Sequence, residues 1–153
     1  MAREVDGIAG LEALVGDHLG FSEWLEITQD RVNTFADATG DHQWIHTDVE
    51  RAKAESPFGG PIAHGYLTLS LGPVLMPTIL SVRGMRMGVN YGTGKVRFPS
   101  PVPVGSRVRL GARLDSLERL PGDGAQVQMT FTFEIEDAPK PACVAEIIFR
   151  YYE

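Results

Sequence analysis

The sequence predicts an α+β fold, because its patterns change in character along the chain. Helical periodicity is confined to the first part, a nearly all-apolar segment follows, and the rest alternates apolar and polar residues with the period of a β-strand. Helices followed by a run of strands are typical of an antiparallel sheet with one face covered by a helix. The 153 residues favour one domain over the range 1–153.

The first elements in chain order are a helix, a strand and a second helix. Residues 7–15 (GIAGLEALV) have the spacing of a short amphipathic helix, and FSEWLEI at 21–27 alternates as a brief strand. Thr28 is suited to cap a helix that runs to about Ala38, and Gly40 is suited to stop it.

The next elements are another helix, a loop and the apolar segment. Thr47 and Glu50 have the spacing of a capping box, which predicts a helix ending near Glu55. After the turn-rich SPFGGPIAHG, residues 62–80 are almost all apolar or small, and this length favours a buried helix over a strand. Pro73 and Pro77 are expected to kink or end it.

The remaining chain is predicted to form the antiparallel sheet. Its strands are rich in Val, Ile, Phe and Tyr, and PGDG at 121–124 is a turn between two of them. The predicted strands are MRMGVNY, GKVRF, RVRLGARLDSLERL, AQVQMTFTFEIED and ACVAEIIFRYY.

The composition narrows the class of protein. A net charge of -6 and a pI near 5.2 argue against a nucleic-acid partner. A group of basic residues in one third of the chain could bind an anion or simply cover the outer faces of strands. The group is Arg83, Arg86, Lys95, Arg97, Arg107, Arg109 and Arg113. The one cysteine, Cys143, has apolar neighbours and is expected to be a buried structural thiol. Without a signal-like or membrane-spanning pattern, the expected location is the cytoplasm, with no membrane partner.

The loop FADATGDHQWIHTD is the first candidate site. Asp41 and His46 lie five residues apart between two predicted helix ends, and such loops often carry catalytic groups. A carboxylate and an imidazole can share proton transfer to and from one water molecule. The spacing alone also fits a residue that follows a helix end and a surface histidine. His42 looks like a solvated loop residue.

The segment GGPIAHGYL is the second candidate site. The first N–H groups of a helix lack internal partners, and Gly65 has no side chain to block a ligand, so its N–H is a candidate oxyanion donor. The alternative is that Gly65 only permits close packing. His64 is a candidate ligand contact or a hydrogen-bonded residue near the helix start. No metal-ligand spacing or phosphate loop is present, so we expect neither a metal nor a cofactor.

With these segments identified, the sequence resembles the MaoC-like dehydratase family, which includes the (R)-specific enoyl-CoA hydratases and the nodulation-protein-N-like proteins. The segment that resembles the family's hydratase signature begins at Phe35, continues through ATGD to Asp41, and ends at Ile45 and His46. GGPIAHGYL and VNYGTGKVRFPSPVPVGSRVRL match two further segments in order and spacing. The similarity runs from about residue 22 to the C-terminus.

The resemblance implies a hot-dog fold, in which an antiparallel sheet wraps around a long central helix, and a homodimer. It implies (R)-specific hydration of 2-enoyl-CoA, or dehydration of (3R)-hydroxyacyl-CoA, in fatty-acid metabolism. Asp41 and His46 would hold and activate water, and the Gly65 N–H would donate to the thioester carbonyl. His64 and Asn90 are predicted to bind substrate beside Gly65, whereas the matching segment suggests no role for Tyr91.

Two departures from the family pattern concern the surroundings of this pair. Gln43-Trp44 stands where many members have Asn-Pro, and Pro73 falls where some hydratases carry a helix serine, with Ser70 one turn away. Two other functions therefore remain open from the sequence. One is acyl-CoA thioester hydrolysis on the same fold, and the other is non-catalytic binding of an acyl thioester, which Trp44 favours.

Overall fold

The predicted antiparallel sheet is present in the computed structural model, which describes residues 1–153. Its strand order is β2-β6-β7-β8-β5, and β3 also pairs with β6. The bounds are β2 His18–Phe21, β3 Leu25–Glu26, β5 Met87–Arg97, β6 Arg107–Leu120, β7 Gly124–Ile135 and β8 Cys143–Tyr152. The turn between β6 and β7 is confirmed. MRMGVNY and GKVRF were predicted as two strands but form β5 alone, because register shifts at 90–92 and 93–96 absorb their irregular alternation.

One face of the sheet forms the core, as the alternation predicts. Every second residue of β7 from Ala125 to Ile135 is buried, and the β6 residues that face its second half, from Val108 to Leu114, are buried too. The helical part of the apolar segment at 62–80 is named here the central segment. Its residues Leu67, Leu71 and Leu75 belong to the same hydrophobic cluster. This packing of a helical segment onto one sheet face defines the α+β hot-dog arrangement.

The helices that precede the sheet are α1 Gly7–Glu12, α2 Gln29–Thr39, α3 Trp44–Thr47 and α4 Val49–Glu55. Both predicted ends of α2 are confirmed. The Thr28 hydroxyl accepts a hydrogen bond from the Arg31 N–H at 3.1 Å, and Gly40 takes the left-handed conformation with φ of 82°. Helix α1 ends at Glu12, three residues before its predicted end, and a turn follows.

The predicted capping box at Thr47 and Glu50 is wrong. Residues 44–47 form the extra helix α3, and the Thr47 hydroxyl donates to the carbonyls of His42 and Gln43. Asp48 caps α4 instead, since its Oδ1 accepts from the Arg51 N–H at 3.1 Å. The end of α4 at Glu55 is as predicted.

The central segment is shorter and more broken than the predicted helix over 62–80. It comprises α5 Gly65–Ser70, α6 Gly72–Leu75 and a 3₁₀ turn at Met76–Thr78. Pro73 and Pro77 lie in the first turns of the last two pieces, where their missing N–H groups cost least, so the expected interruption is confirmed.

Both ends of the range 62–80 are extended rather than helical. Ile62 bridges to Pro103, and residues from Leu80 onward form β4 Leu80–Arg83, which pairs in parallel with β1 Arg3–Asp6. This small second sheet was not predicted, because each of its strands has only four residues, too few to show a distinct period. No helix in the structure has the length and apolar character needed to cross a membrane.

The predicted strand at 21–27 is interrupted after Phe21. The Ser22 N–H donates to the Leu110 carbonyl, and the Ser22 hydroxyl accepts from the Leu110 N–H at 2.9 Å. Both bonds to one partner residue end the regular ladder, and pairing resumes only at Leu25.

The prediction for Cys143 is confirmed, and the basic residues have contacts that favour one of their two interpretations, the covering of outer strand faces. Cys143 is fully buried, and burial raises the pKa of its thiol to about 11. Four of the grouped basic residues pair with carboxylates at the surface: Arg83 with Asp6, Arg107 with Glu136, Arg109 with Glu134 and Arg113 with Asp115.

Candidate functional site

The residues Ile62–Gly65, named here the anchor segment, hold the candidate site together. The Ala63 N–H donates to the Val102 carbonyl at 2.8 Å, which fixes the segment to the chain before β6. The Ile62 N–H donates to the Ile45 carbonyl at 3.0 Å, which attaches it to α3. The segment is extended because these bonds satisfy its backbone outside any helix, and α5 begins only at Gly65.

His46 projects from α3 onto the anchor segment. Its Nδ1 lies 2.6 Å from the Ile62 carbonyl oxygen. A carbonyl can only accept, so Nδ1 carries the proton and Nε2 of the neutral ring has a free lone pair. The residue is 7% exposed. Burial lowers the pKa of His46, aided by nearby His64, while the bond to Ile62 and the nearby Asp41 act to raise it. The ring is therefore set up as a neutral base with a defined tautomer.

Asp41 follows the left-handed Gly40 at the end of α2 and remains exposed, with 53% of its side chain accessible. Its Oδ1 lies 3.4 Å from the Gln43 nitrogen, and its Oδ2 lies 4.0 Å from Nε2 of His64. Ligand atoms of Asp41, His46 and His64 all lie within 4.8 Å of one another. The structure thus brings together the carboxylate and imidazole that the sequence analysis paired.

His64 is the third member of this cluster. Its Nε2 donates to the Asp41 carbonyl oxygen at 3.0 Å, and its ring stacks on that of His46 with centroids 3.9 Å apart. Phe35 of α2 covers it with a centroid distance of 4.8 Å. Since His64 is only 3% exposed, it touches substrate less readily than Asp41 does. Its predicted part in substrate binding stays a prediction.

The same three side chains carry atoms that metal ions use, but two of those atoms already have partners. Nδ1 of His46 and Nε2 of His64 are bonded to backbone carbonyls. The two rings stack with an angle of 24° between their planes. The geometry suits proton transfer at the mouth of the site better than chelation.

Gly65 begins α5 beside this cluster. As the first residue of the helix, its N–H has no partner within the helix. A Cβ at this position would lie 3.0 Å from the Phe98 ring, so a larger residue here would displace that ring or the helix start. Both readings of Gly65 from the sequence therefore have support, and they do not exclude each other.

Asn90 lies elsewhere, on β5, and makes no hydrogen bond with the cluster. It lines a groove between the central segment and the sheet, in which two adjoining cavities have volumes of about 590 and 430 Å³. Residues common to both cavities include Gly72, Pro73, Phe131 and Ile147. Ser70 borders the second cavity, with its hydroxyl bonded to the Leu67 carbonyl at 2.7 Å. The groove is predominantly apolar, as an acyl chain requires.

Sequence reasoning missed Gln29. Its Nε2 donates to the His46 carbonyl at 2.8 Å and to Asn33, so it supports the backbone of α3 from α2. A glutamine at the start of an amphipathic helix carries no signal of such a contact. Trp44 begins α3, two residues before His46, and the Arg51 guanidinium lies over its ring at 4.3 Å from the centroid.

Comparisons with known proteins identify the family of the chain and the fold that it shares. The family model described as "MaoC like domain" matches residues 11–130. The chain is 52% identical to 3-hydroxyacyl-thioester dehydratase Z of Mycobacterium tuberculosis, over 97% of this chain and 98% of that one. It is 46% identical to nodulation protein N of Rhizobium meliloti, over 92% and 88%.

Solved structures share the fold. A monoamine oxidase regulatory protein from Archaeoglobus fulgidus superposes with a TM-score of 0.80 at 23% identity, covering 100% of this chain and 99% of that one. The unliganded (R)-hydratase of Pseudomonas aeruginosa superposes with a TM-score of 0.70 at 25% identity, covering 95% and 84%. The match over most of the chain, together with the full-length similarity to a dehydratase, shows that this protein belongs to the MaoC-like dehydratase family.

Proposed function

We propose that the protein adds water to 2-enoyl-CoA thioesters, or removes it from (3R)-hydroxyacyl-CoA thioesters, with Asp41 and His46 as its acid/base pair. The observation that carries the proposal is an exposed carboxylate beside an imidazole whose Nε2 lone pair is free. The name of the Mycobacterium tuberculosis relative, a 3-hydroxyacyl-thioester dehydratase, supports the same reaction. The R configuration follows the (R)-hydratase name of the Pseudomonas aeruginosa structure.

The proposed reaction uses one water molecule between Asp41 and His46. The carboxylate holds the water by accepting one O–H, and His46 Nε2 takes the other proton as the oxygen bonds to C3. The electron pair of the C2–C3 double bond moves toward C1, and negative charge develops on the thioester oxygen. The acid/base pair Asp41 and His46 then returns a proton to C2, so no co-reactant is needed.

The Gly65 N–H is the proposed donor to that thioester oxygen. Charge on the oxygen is greater in the transition state than in the substrate, so a donor fixed at this point lowers the barrier selectively. Asn90 is proposed to contact the substrate farther along, because it lines the apolar groove rather than the acid/base cluster. Acyl-CoA is the proposed partner molecule.

Hydration of crotonyl-CoA, followed by loss of the enoyl absorbance, tests the proposal. Wild type should turn over, and Asp41→Asn and His46→Gln should each lose about 10²–10⁴-fold in kcat. His42→Gln is the matched control, since His42 is exposed on the same loop. Wild-type-like rates in both site variants would remove the pair from the mechanism.

The same assay separates the other two functions. Release of free CoA, detected with a thiol reagent, would indicate thioester hydrolysis. Binding of enoyl-CoA without either reaction would indicate a non-catalytic binding protein. Enoyl-CoA substrates of increasing chain length then report how much of the groove an acyl chain fills.

A homodimer through the edge of β5 is part of the proposal. This strand has no neighbour on its outer side, and it exposes Met87, Val89 and Tyr91. An uncovered long edge with apolar side chains is a liability that pairing with a second copy removes. A cytoplasmic location is also proposed, on the basis of a single cysteine that has no disulfide partner.

A further inference from the structure

We propose that His64 is a positioning residue, whose Nε2–H fixes the backbone of Asp41 and thereby sets the distance from its carboxylate to His46. The inference rests on the acid/base pair proposed above. It assigns to His64 a role other than contact with substrate.

Asp41 has few restraints of its own. Its N–H lies 3.4 Å from the Thr39 hydroxyl, and its Oδ1 lies 3.4 Å from the Gln43 nitrogen. Both distances exceed the usual range of about 2.7–3.2 Å for such bonds. The bond from His64 to the Asp41 carbonyl, at 3.0 Å, is the one of ordinary length. An exposed residue after a glycine would otherwise have considerable freedom.

Because His64 lies in the anchor segment, its bond to Asp41 connects the carboxylate to the residues that hold the other reacting groups. The Ile62 carbonyl, two residues earlier, orients His46, and the Gly65 N–H is the next donor along the chain. The anchor segment itself is fixed through Ala63 to Val102. All three proposed reacting groups are therefore held relative to four consecutive residues, and His64 is the link to the carboxylate.

The buried ring of His64 is more polar than packing requires. It makes one hydrogen bond, and its Nδ1 is buried with no partner. An unpartnered buried acceptor is unfavourable by roughly 1–3 kcal/mol. A phenylalanine could stack on His46 and Phe35 without that cost. The donor to Asp41 is a contact that a histidine provides here and a phenylalanine cannot.

Two substitutions at His64 separate the donor from the stacking ring. His64→Gln keeps an N–H donor of similar reach and loses the ring, whereas His64→Phe keeps the ring and loses the donor. We expect His64→Phe to melt near the wild-type temperature and to lose about 10–100-fold in kcat for crotonyl-CoA hydration, with KM changed by less than about threefold. His64→Gln should retain kcat within about fivefold.

His42→Phe and His42→Gln are matched controls on the exposed neighbour of Asp41, and both should behave as wild type. If His64→Phe is not folded by circular dichroism, His64→Leu makes the same comparison with a smaller apolar side chain. Full kcat in the folded apolar variant, or equal losses in the Gln and apolar variants, overturns the inference. An inactive wild type would overturn the proposed function instead, whereas an inactive Asp41→Asn beside a fully active His64→Phe removes only the role of His64.

Discussion

The Asp41–His46 loop and the outer edge of β5 obtain their contacts in opposite ways. In the loop, bonds within the chain orient the reacting groups: Ile62 holds His46, and His64 holds Asp41. Along β5, one side pairs with β8 and the other has no neighbour, while Val89 is exposed. The first region is preorganised by its own chain, and the second is suited to a second copy. Variants should therefore separate chemistry from assembly.

After the two acid/base variants, the largest expected effect is at the start of α5. Gly65→Ala places a Cβ 3.0 Å from the Phe98 ring, so the helix start or the ring must move, and the proposed oxyanion donor moves with it. We expect kcat to fall by about 10–100-fold while the dimer persists. Hydration kinetics and sedimentation velocity on the same sample measure both quantities.

Gly60→Ala is the matched control for that substitution, because a Cβ there has no atom within 4 Å. It should leave kcat unchanged. Adding Phe98→Leu to Gly65→Ala should restore part of the lost activity, since the smaller side chain makes room for the methyl group. Unchanged kcat in Gly65→Ala would show that the position tolerates a side chain and would weaken its role as a donor.

The next effect is on assembly. Val89→Lys places a charge on the β5 edge of each copy, and in a symmetric dimer both charges enter one interface. We expect the dissociation constant to rise by at least about tenfold, measured by sedimentation equilibrium. Val15→Lys is the control, because Val15 is equally exposed but lies after α1. A dimer that survives Val89→Lys and not Val15→Lys would place the interface elsewhere.

The smallest effect is a displacement of the pH profile. Burial lowers the pKa of His46 below the 6.5 of a free imidazole, so the ring remains neutral and able to accept a proton at more acidic pH. The kcat/KM profile should be flat near neutrality and fall only as pH drops through this lowered pKa. An acid limb at or above 6.5 would contradict this. The acid limb of the kcat/KM profile should be unchanged in Val89→Lys, because the groups that shift the pKa of His46 all lie within one chain.

Local patterns accounted for much of the fold. Thr28 and Gly40 cap the two ends of α2 as predicted, because capping depends on a few neighbouring residues. The alternation in β6 and β7 identified their buried faces. The capping box at Thr47 failed because tertiary contacts formed α3, and Asp48 then became the cap. The sequence pattern alone cannot decide whether Thr47 or Asp48 caps α4, because the turn before them is also helical.

The sequence by itself determined that helices precede an antiparallel sheet, the family resemblance, and the pairing of Asp41 with His46. These follow from residue types, from periodicity over long segments, and from the motifs that carry the resemblance. Only the tertiary structure decided which ring nitrogen of His46 is free, that Gln29 supports it, and that His64 is directed at the Asp41 backbone. Such facts depend on hydrogen bonds between residues up to 23 positions apart, and local preferences contain no information about them.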